Sequence, residues 1–553
     1  MRNAQSGTAA MPVGAIAHVD VVIVGAGFAG LQALYRLREH GLSVRLLEAG
    51  DGVGGTWFWN RYPGARVDFE SFEYSFSFSS ELEQDWCWSE RFPAQPELQR
   101  YLEHVCARFD LARDIQLEAR VQEAIFDAES CRWRLCTEND ETISCSFCVM
   151  ATGLLSAPRE PEFPGLEEFR GARYLTAPWP KESVDFSGLR VGVIGTGSSG
   201  VQVIGALARE VEELFVFQRT APFVVPAHNR PMDSAYERAI KAQYATLRRH
   251  EFLSETGIGL LDGAVEALPL PRHVSALAVD ATTRQAEFER RWQNGSLCFL
   301  NAFNDLIFDL GANETLAEFL REKIRAQIDD PALAQKLLPQ GYPVFSRRLS
   351  VSDDYYASFN RGNVTLVDLN ETPLTRFTRG GLTVGKREIA LDAVIFATGF
   401  DAQTGALTRI DIQGRDGCEL RSSWQQGPDN FLGLMTPGFP NLFYLCGPGS
   451  PTAFYPPILL AEYQTDWLLK IFDAMKARGK RTIEPRTAAA QRWLHHSREM
   501  ANATVFPRGH SWYMGTNVAG KPVGLLSYIG GFTQYRSWME ETIAGGLTDF
   551  EVD

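Results

Sequence analysis

Two glycine triplets could each seat a pyrophosphate: Gly25-x-Gly27-x-x-Gly30 and, 170 residues on, Gly195-x-Gly197-x-x-Gly200. In such a turn the glycines permit the tight bend, the approach of backbone to phosphate and the close packing of helix on strand. The unpaired N–H groups and partial positive charge of the helix N-terminus then face the anion. One triplet alone is weak; two with the same flanking pattern predict two bound dinucleotides. Phe28 in the first turn, and Thr196, Ser198, Ser199 and Gln202 in the second, join the glycines as candidate cofactor contacts.

Eighteen residues past the last glycine the two copies part. Glu48 stands in the first and Gln218 in the second, followed by Arg219 and Thr220. A carboxylate there accepts from an unphosphorylated ribose and repels a 2′-phosphate, which a guanidinium fork holds instead. The first copy therefore reads as an FAD site and the second as an NADP site. A chain holding both is a flavoprotein reduced by NADPH.

The elements that must position these residues are two strand–turn–helix units. Val21–Val24 and Val191–Ile194 are short, largely β-branched runs, and Leu31, Leu34, Leu37 and Val201, Ile204, Leu207 follow at helical spacing. The strand Val44–Leu47 delivers Glu48. A helix is expected over Pro93–Phe109 and strands over Val121–Phe126, Arg132–Thr137 and Thr142–Met150; Leu316, Phe319, Leu320, Ile324 and Ile328 mark one helical face. The fold class is α/β: two Rossmann-like dinucleotide-binding domains (FAD and NADP), with a helical insertion in the NADP domain. The expected extents are a flexible tail over 1–18, the FAD domain over 19–157, the NADP domain with linker and insertion (about 230–338) over 158–386, and the rest of the FAD domain with the C-terminal region over 387–553. Ala151-Thr-Gly153 and its near-copy Ala397-Thr-Gly399 flank the excursion into the NADP domain.

The 553 residues are 45% hydrophobic and 22% charged, ordinary for two or three globular domains. A net charge of −14 argues against a nucleic-acid or anionic-membrane partner. Residues 1–18 do not read as a signal peptide, and no run approaches the ~18 apolar residues of a membrane span, so a cytoplasmic location is expected. Nine cysteines suit a reducing compartment. Cys145-x-x-Cys148, near Cys131 and Cys136, raises zinc; strand alternation would put residues three apart on opposite faces, so no metal site is expected. Residues 50–76 contain no cysteine, which sets aside the flavoproteins that pass electrons to a disulfide.

The segment GGTWFWNRYPGARVD (residues 54–68) resembles the type I Baeyer–Villiger monooxygenases, FAD- and NADPH-dependent enzymes that insert oxygen beside a ketone, and most resembles their phenylacetone monooxygenase branch. The similarity runs from about Val19 to the C-terminus. It implies FAD contacts at Thr56, Trp57, Trp59, Asp68, Tyr74 and Val121, with Arg66 and Asp68 also near the nicotinamide cofactor. From composition alone, Trp57 and Trp59 would read as core. In GYPVFSRRLSVSDDYY (residues 341–356) the resemblance gives Arg347 to the 2′-phosphate and makes Arg348 the catalytic arginine, itself near the cofactor. It gives Trp512, within HSWYMGTNVAGKP, to NADP, and the loop Ser450–Leu460 to the substrate pocket. Trp292 and Asn313 match family positions of structural character.

The family pattern F-x-G-x-x-x-H-x-x-x-W, then Pro or Asp, is met by Phe169, Gly171, Trp179 and Pro180, but Leu175 stands where histidine is expected. Phe345 replaces a family glycine, and Pro456 and Pro457 depart from the substrate loop. By the resemblance, Arg348, oriented by Asp68, stabilises the anion of a C4a-peroxyflavin, and a small-molecule ketone and O2 yield an ester or lactone. Two alternatives stand beside this: a flavin monooxygenase of sulfides or amines, and an uncoupled NADPH oxidase, which Leu175 favours. No obligatory protein partner is evident.

Overall fold

The computed structural model describes residues 17–258, 260–261, 264–265 and 274–553. Most of the expected N-terminal tail lies outside these residues, and the first strand, Ala17–Val24, already runs at Ala17. Among the described residues no helix is long and apolar enough to cross a membrane.

The first glycine turn belongs to an eight-stranded sheet. Its order is Asp411–Gln413, Val121–Asp127, Arg132–Thr137, Thr142–Met150, Ala17–Val24, Val44–Leu47 and Ile115–Gln116, with Leu442–Tyr444 also pairing Thr142–Met150. Val21–Val24 are buried and pair in parallel with Val44–Leu47 on one side and Thr142–Met150 on the other, as a central strand covered on both faces must. The second turn belongs to a five-stranded parallel sheet, in the order Val364–Asp368, Glu213–Gln218, Arg190–Ile194, Ala393–Phe396, Ala172–Leu175.

The return to the FAD domain, expected near Arg387, falls beyond Phe396. Ala393–Phe396 is fully buried between Arg190–Ile194 and Ala172–Leu175 in the second sheet. The two Ala-Thr-Gly copies thus do the same job in different domains. A Cβ on Gly25 (φ +107°) would run into the Ala151 carbonyl, and one on Gly195 (φ +109°) into that of Ala397. Each copy closes the back of its own phosphate turn.

Three other expectations change. The supposed linker is partly a strand: Ala172–Leu175 forms the edge of the second sheet, with Leu175 opposite Phe396. The helix expected from Leu316 starts at Leu310, because the Asp309 carboxylate caps it by accepting from the Ala312 N–H at 2.9 Å, and it ends at Arg325, before Ile328. Cys145 and Cys148 do not face apart. Ile143, Cys145, Cys148 and Met150 share one apolar cluster, whereas Val149 belongs to the other, so alternation slips between Cys145 and Cys148. At that slip the Ser146 carbonyl accepts from Asn441 rather than serving the ladder alone. Among the described residues no group of three or more His, Cys, Asp or Glu side chains stands placed for a metal.

Candidate active site

The first cradle presents uncapped N–H groups to a pyrophosphate. The helix Phe28–Glu39 begins at Gly27 with no side chain capping it, so its first N–H groups lack an intrahelical or side-chain acceptor. Glu48 is buried, and its two oxygens accept from the Ala26 and Gly50 N–H groups at 2.7 and 2.8 Å. Each oxygen keeps a second lone pair for a ribose hydroxyl. Thr56 opens a one-turn helix, Thr56–Trp59, whose buried Trp57 donates its indole N–H to the Tyr74 hydroxyl at 3.3 Å. Phe28 packs edge-on against Tyr74 at 5.2 Å. Val121 is buried on the strand after Ala119, whose N–H donates to the Glu48 carbonyl.

The second cradle carries a more pointed sign of an anion. The helix Ser198–Leu207 starts at Gly197 without a side-chain cap, and a Cβ on Gly197 would meet only open space. Thr196 donates to the Thr220 carbonyl at 2.9 Å, which ties the turn to the ribose-reading strand end. Arg347 lies 5.0 Å over the Tyr342 ring, and its Nε is buried with no hydrogen-bond partner. Burial, then the like charge of Arg219, hold the Arg347 pKa below its ordinary value. Among the described residues neither arginine has a carboxylate partner. Two unpaired guanidinium groups, one with an orphaned buried N–H, fit the 2′-phosphate of NADP.

Two expected cofactor contacts are committed within the protein. The Arg66 guanidinium pairs with Glu90 at 3.0 Å. Gln202 donates to the Arg66 carbonyl at 2.8 Å and accepts from the Tyr62 hydroxyl at 2.9 Å, so it joins the second helix to the flavin loop. Ser198 reaches Ser350 at 3.3 Å, and Ser199 neighbours the Tyr62 hydroxyl. Trp59 accepts at its carbonyl from the Trp179 N–H at 3.0 Å, where the edge-strand motif meets the flavin loop.

Arg348 and Asp68 come together where the two domains meet. One carboxylate oxygen, Oδ2, accepts from both Arg348 Nε (3.1 Å) and Nη2 (2.8 Å), while Nη1 donates to the Ala453 carbonyl at 3.3 Å. The side chains are only 22% and 23% exposed. Burial alone would lower the Arg348 pKa, but Asp68 and the Tyr513 hydroxyl outweigh it and raise the pKa, so the charge is permanent. Arg348 lines an apolar cavity with Phe69, Phe345, Leu349, Phe454 and Tyr513. A fixed cation in a water-poor pocket can hold negative charge that develops on a substrate oxygen.

The comparisons with known proteins match this geometry. A family model described as pyridine nucleotide-disulphide oxidoreductase matches residues 19–253, which hold both glycine turns. Acetone monooxygenase (methyl acetate-forming) of Gordonia sp. (strain TY-5) is 39% identical over 96% of this chain and 98% of its own. A Baeyer–Villiger monooxygenase of Pseudooceanicola batsensis is 38% identical over 96% of each. The chain belongs to the Baeyer–Villiger monooxygenases. Phenazine N-monooxygenase of Lysobacter antibioticus, 38% identical over 95% of each chain, is a further relative. The solved structure of oxidized steroid monooxygenase bound to NADP has a TM-score of 0.91 and 44% identity, covering 97% of this chain and 99% of that one. This monooxygenase, like its family, uses FAD and NADPH.

Tyr513, Ser511 and the Arg91–Glu70 pair had no signal in the sequence. Tyr513 touches Arg348, and Ser511 clips the arginine segment by donating to the Ser346 carbonyl at 2.9 Å. Trp512, the expected NADP contact, lies 4.3 Å from the Tyr513 ring. Phe345 has φ +72° and is buried, a left-handed conformation that glycine adopts without strain. Behind Asp68 stands a buried ion pair, Arg91–Glu70 at 2.5 Å. Arg91 also donates to the carbonyls of Asn294 (2.7 Å) and Ala227 (3.3 Å), and Glu70 accepts from the Tyr236 hydroxyl at 2.8 Å. Ala227 follows the strand Val224–Val225, which pairs with Ser350–Val351 two residues past Arg348. The clamp therefore spans the segments that carry Asp68 and Arg348. Glu70→Ala would strand a buried guanidinium and is expected to cost about 3–5 kcal/mol, read from the urea unfolding midpoint of tryptophan fluorescence; Glu70→Gln, which keeps an acceptor for Tyr236, should cost less.

Proposed function

We propose that this enzyme inserts one atom of O2 beside the carbonyl of a small-molecule ketone to give an ester or lactone, with Arg348 as catalytic residue and Asp68 as its positioning partner. The observation that carries this reading is the Arg348 fork on Asp68, set in an apolar cavity. FAD would lie along Gly25, Gly27, Gly30, Glu48, Thr56, Trp57 and Tyr74, and NADP along Gly197, Gly200, Arg219, Thr220 and Arg347. Bound FAD, reduced by NADPH, supplies the activated oxygen.

The chain's own residues then have separable tasks. Asp68 uses one oxygen for two guanidinium N–H groups, so it fixes the plane of the fork as well as its charge. Arg348 offers its counter-charge to the oxygen of the attacked carbonyl without proton exchange, since its pKa is raised. Phe69, Phe454 and Tyr513 keep water from that charge, which strengthens it. Asn313, which binds the Leu306 and Val344 carbonyls and accepts from the Val344 N–H, anchors the segment leading to both arginines.

A screen of ketones under 18O2 tests the reading: one heavy oxygen should appear in ester per NADPH consumed. The N-oxygenating relative supplies a second reading, oxygenation of a soft nitrogen or sulfur. N-oxides or sulfoxides without any ester would replace the first reading by the second. Leu175 bears on efficiency. On its edge strand it packs against the cluster that includes Phe396 and cannot hydrogen-bond as histidine would. Leu175→His is expected to lower the hydrogen peroxide released per NADPH; an unchanged ratio would make Leu175 neutral.

A further inference from the structure

Beside the Arg348 cavity lies a second and larger one. Four side chains line both: Thr256, Leu300, Phe454 and Phe506. The Phe454 ring packs edge-on against Phe506 at 4.8 Å and lies 5.1 Å from Tyr513, whose hydroxyl meets Arg348. The partition between the chambers is therefore a single layer of side chains. Beyond it the wall is mostly apolar, with Phe303, Ile307, Met500 and Ile529. At its rim Leu253 and Phe308 are 41% and 48% exposed.

Three polar groups of this wall already have partners. Glu255 accepts from the Thr533 N–H at 3.1 Å, Asn301 accepts from the Thr256 hydroxyl at 3.0 Å, and Ser254 accepts from the Gly257 N–H at 3.1 Å. A polar ligand would have to compete for these partners, whereas an alkyl chain needs none of them. The inner cavity is too small to take a long substrate whole, and the outer one continues it.

We propose that the outer chamber binds the apolar tail of the substrate: a ketone with its carbonyl end at Arg348 and a linear alkyl or arylalkyl chain running past Phe454. The inference rests on the ketone reading for the identity of the head, and on the two-chamber geometry for the tail. Each methylene taken from water into such a chamber is expected to tighten binding about fourfold, equivalent to about 0.8 kcal/mol.

Calorimetric titration of the FAD-loaded enzyme with NADP+ and a ladder of 2-alkanones, from 2-butanone to 2-decanone, tests this. Kd should fall about fourfold per methylene over at least four successive members. Asn304→Trp and Met500→Trp fill the outer chamber from two different elements, and each should flatten that slope at least tenfold across the ladder. The variants are read only as yellow, FAD-containing protein, so one failing to fold leaves the other. A Kd that does not change with chain length, or a slope that survives in both variants, overturns the proposal. Product analysis separates the two claims: ester from 2-butanone with no slope removes the chamber and keeps the reaction, while a slope without ester keeps the chamber and removes the reaction.

Discussion

Arg348→Ala is expected to cut ester formation by about 10²–10³ or more while the protein still purifies yellow. Gly25–Gly30, Glu48 and the Trp57–Tyr74 contact take no hydrogen bond from the guanidinium, which meets the flavin loop at Asp68. Reduction by NADPH, followed at the flavin absorbance in a stopped-flow instrument, should persist, since hydride transfer places no charge on a substrate carbonyl. Sulfide oxygenation should fall less than ester formation for the same reason. Arg348→Lys separates charge from geometry: a lysine keeps the cation but cannot offer two N–H groups to Asp68 Oδ2 while a third holds the Ala453 carbonyl. It too should be badly impaired. Asp68→Asn, which keeps a hydrogen-bond acceptor and loses the counter-charge, should fall between the two. Ester at the unaltered rate from Arg348→Ala would remove that residue from the mechanism.

What the sequence showed of this site follows from the range of the forces involved. The phosphate turns depend on contacts within one strand–turn–helix unit, so spacing alone singles out Gly25–Gly30, Gly195–Gly200, Glu48 and Arg219 as the residues proposed for the two dinucleotides. The domain crossing was misplaced because Ala393–Phe396 is a short buried run that either parallel sheet could accept. Only its partners, Arg190–Ile194 and Ala172–Leu175, decide. Cys145 and Cys148 misled for a related reason: between them the Ser146 carbonyl accepts from Asn441, 295 residues away in sequence. Tyr513 and the Arg91–Glu70 clamp act across the domain junction, where no local pattern records who the partner is. Arg348 was legible only through the family resemblance, since two adjacent arginines otherwise read as a solvated surface. The departures were informative in one case: a glycine at position 345 would suit the φ of +72° that Phe345 now occupies, and the phenyl ring instead walls the Arg348 cavity.

Arg219→Ala and Arg347→Ala are expected to raise the KM for NADPH by about 10–100-fold each, the worth of a hydrogen bond to a charged group, and to leave that for NADH almost unchanged. The motive is that Arg347 has an orphaned buried Nε and a pKa depressed by burial, with Arg219 as a repelling neighbour. The same repulsion gives a second readout of opposite sign. Without nucleotide, either replacement removes a like-charge contact, so the apparent melting temperature should hold steady or rise. With saturating NADP+ the wild-type protein should gain stability through ligand linkage, and the variants should lose most of that gain. A merely structural arginine would do the reverse, lowering stability in the absence of nucleotide and sparing the ligand-induced shift. Because both guanidinium groups would serve one phosphate, the double replacement should cost less than the sum of the single ones. Equal kcat/KM for NADPH and NADH in the unaltered enzyme would mean that the second cradle does not read the 2′-phosphate, and that these two arginines face each other for some other reason.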